Sequence, residues 1–309
     1  MLALTLPPTE GDVARAAARV SEGVLEDATV VRWPRAHDHH AYVVTARDGC
    51  AYLFKANRQR HAGRMRRYIH VAAMLKEHDV PHPALRWYDM DKRTLEVPFL
   101  IQDFLPGQDG EAVGAELSFT DQHRVGTGLG TALRTLHQID YVDTPTAWAT
   151  EFDDRFRMRV AECVVLDALD KQSVAHVVRY YEERRGALDN VPRRLSHDDP
   201  SAENIIVERR ADGWQFVGLV DFERARGRDP LLDLAKLRAT AFALWPAIAA
   251  PFNAAYGALE PFGPELRARD ELYDLYVPLA AIAHFRENER PEREQEAREA
   301  LRGWLERTA

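Results

Sequence analysis

The chain has 309 residues, 46% of them hydrophobic and 29% charged, which supplies enough apolar matter for a sizeable core and excludes both wholesale disorder and a small stapled scaffold. Forty-one Lys and Arg against 49 Asp and Glu leave a formal net charge of -8, which disfavours a protein that coats duplexes or anionic membranes and suits a small-molecule partner. Cys50 and Cys163 lie far apart with no CxxC or Cys/His pattern, so no disulfide framework or structural zinc is expected and a reducing, cytoplasmic setting fits.

The opening MLALTLPPTEGD has no basic n-region and is broken by Pro7 and Pro8, which speaks against a signal peptide, and no apolar run is long enough to cross a bilayer. Residues 9–26 carry Val13, Ala17, Val20 and Val24 at helical spacing behind Thr9 as a possible cap. The runs 28–33, 41–46 and 50–56 are β-branched or aromatic, the last two joined by Arg47-Asp48-Gly49, and read as a meander with a tight turn. A helical pattern at 59–78 is followed by strands at 85–89, 94–97 and 99–105, stopped by Pro106-Gly107. Beyond that point the period is helical at 120–139, 151–170 and 173–189, interrupted by two strands, 204–208 and 215–222, around Asp212-Gly213, and helical again after Pro230. This order predicts an α+β, two-lobed fold: a β-rich N-terminal lobe over 1–105 and a mostly helical lobe over 106–309.

The chemistry concentrates in His197-Asp198-Asp199-Pro200-Ser201-Ala202-Glu203-Asn204 and, after a hairpin, Leu219-Val220-Asp221-Phe222-Glu223. An Asp, an Asn five residues later and a second Asp seventeen beyond that is a spacing used in phosphoryl transfer. Asp199 would accept a proton from an attacking hydroxyl, while Asn204 and Asp221 would offer oxygen to the hard ion Mg²⁺. A capping Asp and a turn Asn are the bland alternative.

With these motifs on view, the sequence resembles the aminoglycoside phosphotransferase group of antibiotic and small-molecule kinases, within the protein-kinase-like fold. The resemblance extends to Gly227-Arg228-Asp229-Pro230-Leu231-Leu232-Asp233-Leu234-Ala235, to LGTALRTLH ending at His137, and to PFLIQDFLPG at 98–107. It implies that Asp199 orients the hydroxyl or acts as base, that Asn204 and Asp221 hold Mg²⁺, and that the backbone of Asp103 and Leu105 meets the adenine edge of ATP. Lys55, flanked by apolar residues in its strand, is costly there without an anionic partner, which the α and β phosphates would supply; a lysine reaching solvent from an edge strand is the alternative.

Several positions depart from the pattern. The small Gly expected after the His is Asp198, and the position two after the base, a Lys in protein kinases, is Ser201. No acidic residue occurs between Asp48 and Glu77, so the helix Glu that normally pairs with the strand lysine is missing, and Tyr68 or His70 stands near its place. Pro34-Arg35-Ala36-His37-Asp38-His39-His40 replaces the glycine-rich phosphate loop; its histidines invite a metal reading, but neighbours on an extended chain alternate in direction, so a plain surface turn is expected, with phosphate contact through backbone N–H groups as the alternative. Arg58, Arg60, Arg64, Arg66 and Arg67 form a basic block with no aromatic series for base stacking, so a solvated face is expected rather than nucleic-acid binding, with contact to ATP phosphates or an anionic part of the substrate as the alternative.

Acceptor selection is expected from the helices after Gly107 and Pro230. An acidic lining from Asp140, Asp143, Glu151, Asp153, Asp154, Asp270, Glu271 and Asp274 would attract an amine-bearing, cationic acceptor, although helix-surface carboxylates are ordinary. Glu223, two residues past Asp221, is placed to reach metal or substrate. The expected activity is transfer of the γ-phosphoryl of ATP to a small-molecule hydroxyl, most simply of an antibiotic. A metabolic kinase of choline, homoserine or sugar type and a nucleotide-binding pseudokinase share these motifs, and ATP is not distinguished from GTP.

Overall fold

The computed structural model describes residues 6–34, 39–57, 62–257 and 264–308. Helix α1 (Glu10–Val20) opens with the cap expected at Thr9: its hydroxyl accepts the Asp12 N–H at 3.1 Å and the Asp12 carboxylate accepts the Thr9 N–H at 3.0 Å. The helix stops well short of 26, because Glu22, Gly23 and Asp27 all have positive φ, which a right-handed helix cannot hold. Its buried Val13, Ala16 and Ala17 pack with Tyr42, Val44, Phe54, Phe99 and Ile101 of the sheet.

That sheet is antiparallel in the order β1-β2-β3-β5-β4, built from β1 (Thr29–Trp33), β2 (His39–Thr45), β3 (Ala51–Asn57), β4 (Leu85–Asp89) and β5 (Phe99–Asp103). The predicted strand at 94–97 does not form. The Asp89 carboxylate accepts the N–H and hydroxyl of Thr94, both at 2.8 Å, and the N–H of Asp91 at 3.1 Å, so the chain curls round a side chain instead of joining the ladder. Helix α2 (Ala62–Glu77) sends Met65, Tyr68, Val71 and Leu75 into the core of the second lobe rather than into the α1–sheet cluster. The two lobes therefore share apolar packing.

At the crossing, Gly107 has a φ of +112°, and a Cβ there would overlap the Val207 carbonyl. This close approach lets β6 (Gln108–Asp109) pair with β8 (Ile205–Arg210), which forms a hairpin with β9 (Gly213–Leu219). The helical lobe contains α3 (Phe119–His137), α4 (Trp148–Val165), α5 (Lys171–Arg184), α6 (Leu231–Ala239), α7 (Ala241–Leu244), α8 (Ala249–Tyr256), α9 (Pro264–Glu287) and α10 (Pro291–Thr308). Strand β7 (Arg194–Ser196) pairs with β10 (Arg226–Arg228), delivering both chemistry-bearing loops to one point. Strands β6, β7 and β10 are too short to show a period in sequence. The architecture is the two-lobed α+β arrangement that the element order predicts. Among the described residues, no helix is long and apolar enough to cross a membrane.

Candidate active site

The loop after β7 is held by α6. The buried Asp233 carboxylate accepts the backbone N–H groups of His197 at 2.7 Å and Asp198 at 2.9 Å, and His137 Nε2 lies 3.2 Å from the same group. His197 is fully buried; its Nε2 donates to the Val220 carbonyl at 2.9 Å, and its Nδ1 accepts the Asp199 N–H at 3.3 Å. Burial pushes the imidazole pKa down against the pull of Asp233 and Asp199, so this pattern is that of a neutral histidine. The Asp199 carbonyl accepts Ser201 N–H and Asn204 Nδ2, both at 2.9 Å. Every backbone handle of Asp199 is thus occupied, while no described residue donates to its half-buried carboxylate.

Asp198 stands at a φ of +69°, the conformation that explains why a glycine suits this position. Asp is among the few residues that tolerate it. Its carboxylate contacts Arg228 and lies 3.3 Å from Lys236 Nζ, which also donates to the Asp198 carbonyl. The extra carboxylate beside Asp199 is therefore paired with two cations.

The β8–β9 hairpin brings Asn204 and Asp221 to the same loop, with Val220 N–H donating to the Asn204 carbonyl at 3.0 Å. Asp221 also has a left-handed φ, 66°, and Phe222 behind it packs against the His197 ring at 4.4 Å. The donor set here, an amide oxygen and a carboxylate with 42% of its side chain exposed, is all hard oxygen and fits Mg²⁺.

From β3, Lys55 Nζ donates to Glu223 Oε1 at 2.9 Å and Asp221 Oδ1 at 3.2 Å. Burial alone would lower the ammonium pKa, but these two carboxylates reverse that and hold it above the usual lysine range. Glu223, expected at metal or substrate, is instead sealed against Lys55 and against His39 Nε2 on β2. Burial would raise its pKa, and the Lys55 ammonium together with the hydrogen bond to His39 overcomes that and holds it below the ordinary carboxylate range. Tyr68 donates to Gln102 Oε1 at 3.1 Å, and His70 lies beside the Tyr141 ring, so neither takes the place of the missing helix Glu.

Asp103 holds Arg86 through two 2.7 Å bonds and its own N–H donates to Ala84, while the Leu105 side chain lies against Gly218 on β9, beneath the lobe crossing. His39 is buried and its neighbour His40 only partly so, as alternation requires; among the described residues no cluster of His, Cys, Asp and Glu could hold a metal ion. His37, Asp38, Arg58 and Arg60 lie outside the described residues. Both cysteines are free, Cys50 exposed and Cys163 buried.

The model of the APH phosphotransferase enzyme family matches residues 30–273, a span that contains every group just described. The chain belongs to that family. It is a phosphotransferase by that membership. No curated protein matches the sequence. Three similar solved structures cover the fold almost end to end. The GDP and kanamycin complex of APH(2")-IIIa is 17% identical, covers 91% of this chain and 94% of that one, and gives a TM-score of 0.67. The ADP-bound form of APH(2'')-Ib is 16% identical over 93% and 99%, with a TM-score of 0.62. The apoenzyme of macrolide 2'-phosphotransferase MphH from Brachybacterium faecium is 18% identical over 94% and 97%, also at 0.62. At such identity these likenesses speak for the fold.

Proposed function

We propose that this phosphotransferase moves the γ-phosphoryl group of a nucleoside triphosphate, ATP in the simplest case, to a hydroxyl of a small molecule, most simply an antibiotic. The observation that carries the reading is the Asp199 carboxylate: fixed through its own backbone, without a donor among the described residues, and on the loop that also bears Asn204 and faces Asp221. A carboxylate so held accepts the proton of an acceptor hydroxyl as its oxygen attacks the terminal phosphorus. Lys55 receives the phosphates, and the backbone near Asp103 and Leu105 receives the base. Asn204 and Asp221 would hold Mg²⁺, which when bound supplies charge neutralisation at the phosphates. What remains for the protein is positioning and electrostatics.

The acceptor side favours a second reading of substrate charge. Glu151 pairs with Arg193 at 2.8 Å, Asp153 with Arg157 at 2.9 Å, Glu271 with Arg184 at 3.1 Å, and Asp270 and Asp274 both with Arg238 at 2.7 Å; Asp140 pairs with Arg194. Most of the acidic lining expected for an amine-bearing acceptor is internally neutralised, which favours an acceptor of low charge, such as a sugar-bearing macrolide, over a polyamine. MphH acts on macrolides by its name, and APH(2")-IIIa was solved with kanamycin.

The test is incubation with Mg²⁺ and ATP or GTP against a panel of aminoglycosides, macrolides and hydroxylated metabolites, read by mass spectrometry for one added phosphate. Asp199→Asn should lower the rate on the accepted compound by about 10²- to 10⁴-fold with nucleotide binding retained. Unchanged turnover in that variant would defeat the assignment.

A further inference from the structure

Helix α2 offers Lys55 no carboxylate: its only acidic residue is Glu77, at its far end, and Tyr68 is engaged with Gln102. The two anions that do reach Lys55 both come from the segment after β9, and they differ in exposure. Asp221 keeps 42% of its side chain open, whereas the Glu223 side chain is 5% exposed, with one oxygen on Lys55 and the other on His39. In the β2–β3 register Ala41 faces Lys55 and His39 faces Asn57, so His39 and Lys55 lie on one face of the sheet, and Glu223 meets both.

We propose that Glu223 is the positioning residue for Lys55, supplying from the helical lobe the carboxylate that the N-terminal lobe lacks, and that its bridge to His39 and Lys55 clamps β2 and β3 onto the metal-binding hairpin. The proposal rests on Lys55 being the phosphate-binding lysine of the function proposed above. Its mechanical basis is the turn Asp221-Phe222-Glu223. Phe222 is buried between the rings of His197 and His82, at 4.4 and 6.4 Å, and so fixes Asp221 toward the open site and Glu223 toward the sheet. One short turn thus sets both the metal ligand and the lysine that meet at the phosphates.

The deciding experiment is a double-mutant cycle in the full-length protein with Glu223→Gln, Lys55→Met and both together, reading Mg-nucleotide affinity by calorimetry and, where an acceptor is known, kcat and KM. Glu223→Gln should weaken nucleotide binding about tenfold and lower kcat by about 10- to 100-fold, yet change neither by more than about twofold once Lys55 is Met. Glu223→Asp, which keeps the charge but shortens the reach, should give a folded protein with the same direction of loss. A full additional loss on the Lys55→Met background, or a defect that excess Mg²⁺ restores, would make Glu223 a metal ligand and overturn the proposal. So would a tenfold loss of nucleotide affinity in Tyr68→Phe, since α2 would then orient the lysine. If the wild type binds nucleotide but phosphorylates no acceptor, the proposed function fails while the calorimetric cycle still decides the role of Glu223.

Discussion

The carboxylate of Asp233, on α6, accepts the backbone N–H of His197 at 2.7 Å, so a buried helix residue 36 positions downstream fixes the loop that carries Asp199. Its second oxygen takes the next N–H, that of Asp198, at 2.9 Å. Asp233→Asn would present an amide donor to one of these donors and remove the charge that both share. The expected cost is about 3 kcal/mol of unfolding free energy, with activity lost in the folded fraction. Denaturant melts of variant and wild type measure it, and a difference below about 1 kcal/mol would show that the clamp is not needed.

Asp198→Gly restores the residue that the motif normally carries and relieves a left-handed conformation worth about 1 to 2 kcal/mol. It also strips Arg228, 2% exposed, and Lys236 of their shared anion. Loss of one partner from a buried ion pair costs about 3 to 5 kcal/mol, so the variant should be less stable despite its better backbone. Thermal unfolding would decide; a stabilised Asp198→Gly would mean that the pairing contributes little.

His197 gives a pH dependence of defined sign. Its native pKa is depressed below 6.5 by burial, so below that pH the unfolded chain binds a proton that the native state refuses. Stability contributed by the neutral ring is fully present above about pH 6.5 and falls as pH drops below it, by up to about 1.4 kcal/mol per pH unit. His82 and His284 are also depressed by burial and add to the slope. His197→Asn should lower stability at pH 7.5 but flatten the acid limb by up to one proton, as read from urea midpoints between pH 7.5 and 5. An unchanged limb would mean that His197 titrates normally.

Gly107→Ala tests the lobe crossing. A methyl group there must take a φ of +112° and displace the Val207 carbonyl, the strand that β6 pairs with. A loss of about 2 to 4 kcal/mol is expected, from backbone strain together with the overlap. The same substitution at Gly186, where nothing lies within 4 Å and φ is ordinary, should be nearly silent. Comparable losses at both sites would refute the argument.

The local pattern determined much of this protein. Apolar, β-branched and aromatic runs located β1 to β5, and also suggested a strand at 94–97 that fails where Asp89 captures Thr94. Spacing alone placed Asp199, Asn204 and Asp221 together, because one hairpin spans them and its turn residues are visible in sequence. Tertiary structure decided which charges face each other. Glu223 and Lys55 are 168 residues apart, and Asp233 on α6 meets the backbone of His197 from 36 residues further along the chain. Likewise, of the carboxylates expected to line an acceptor pocket, Asp153 found Arg157 on its own helix, while Glu151, Glu271, Asp270 and Asp274 found arginines on other elements. Periodicity reports a side chain's distance from the core along one element, whereas an ion pair depends on where two elements cross, and the crossing is set by packing that no single segment encodes.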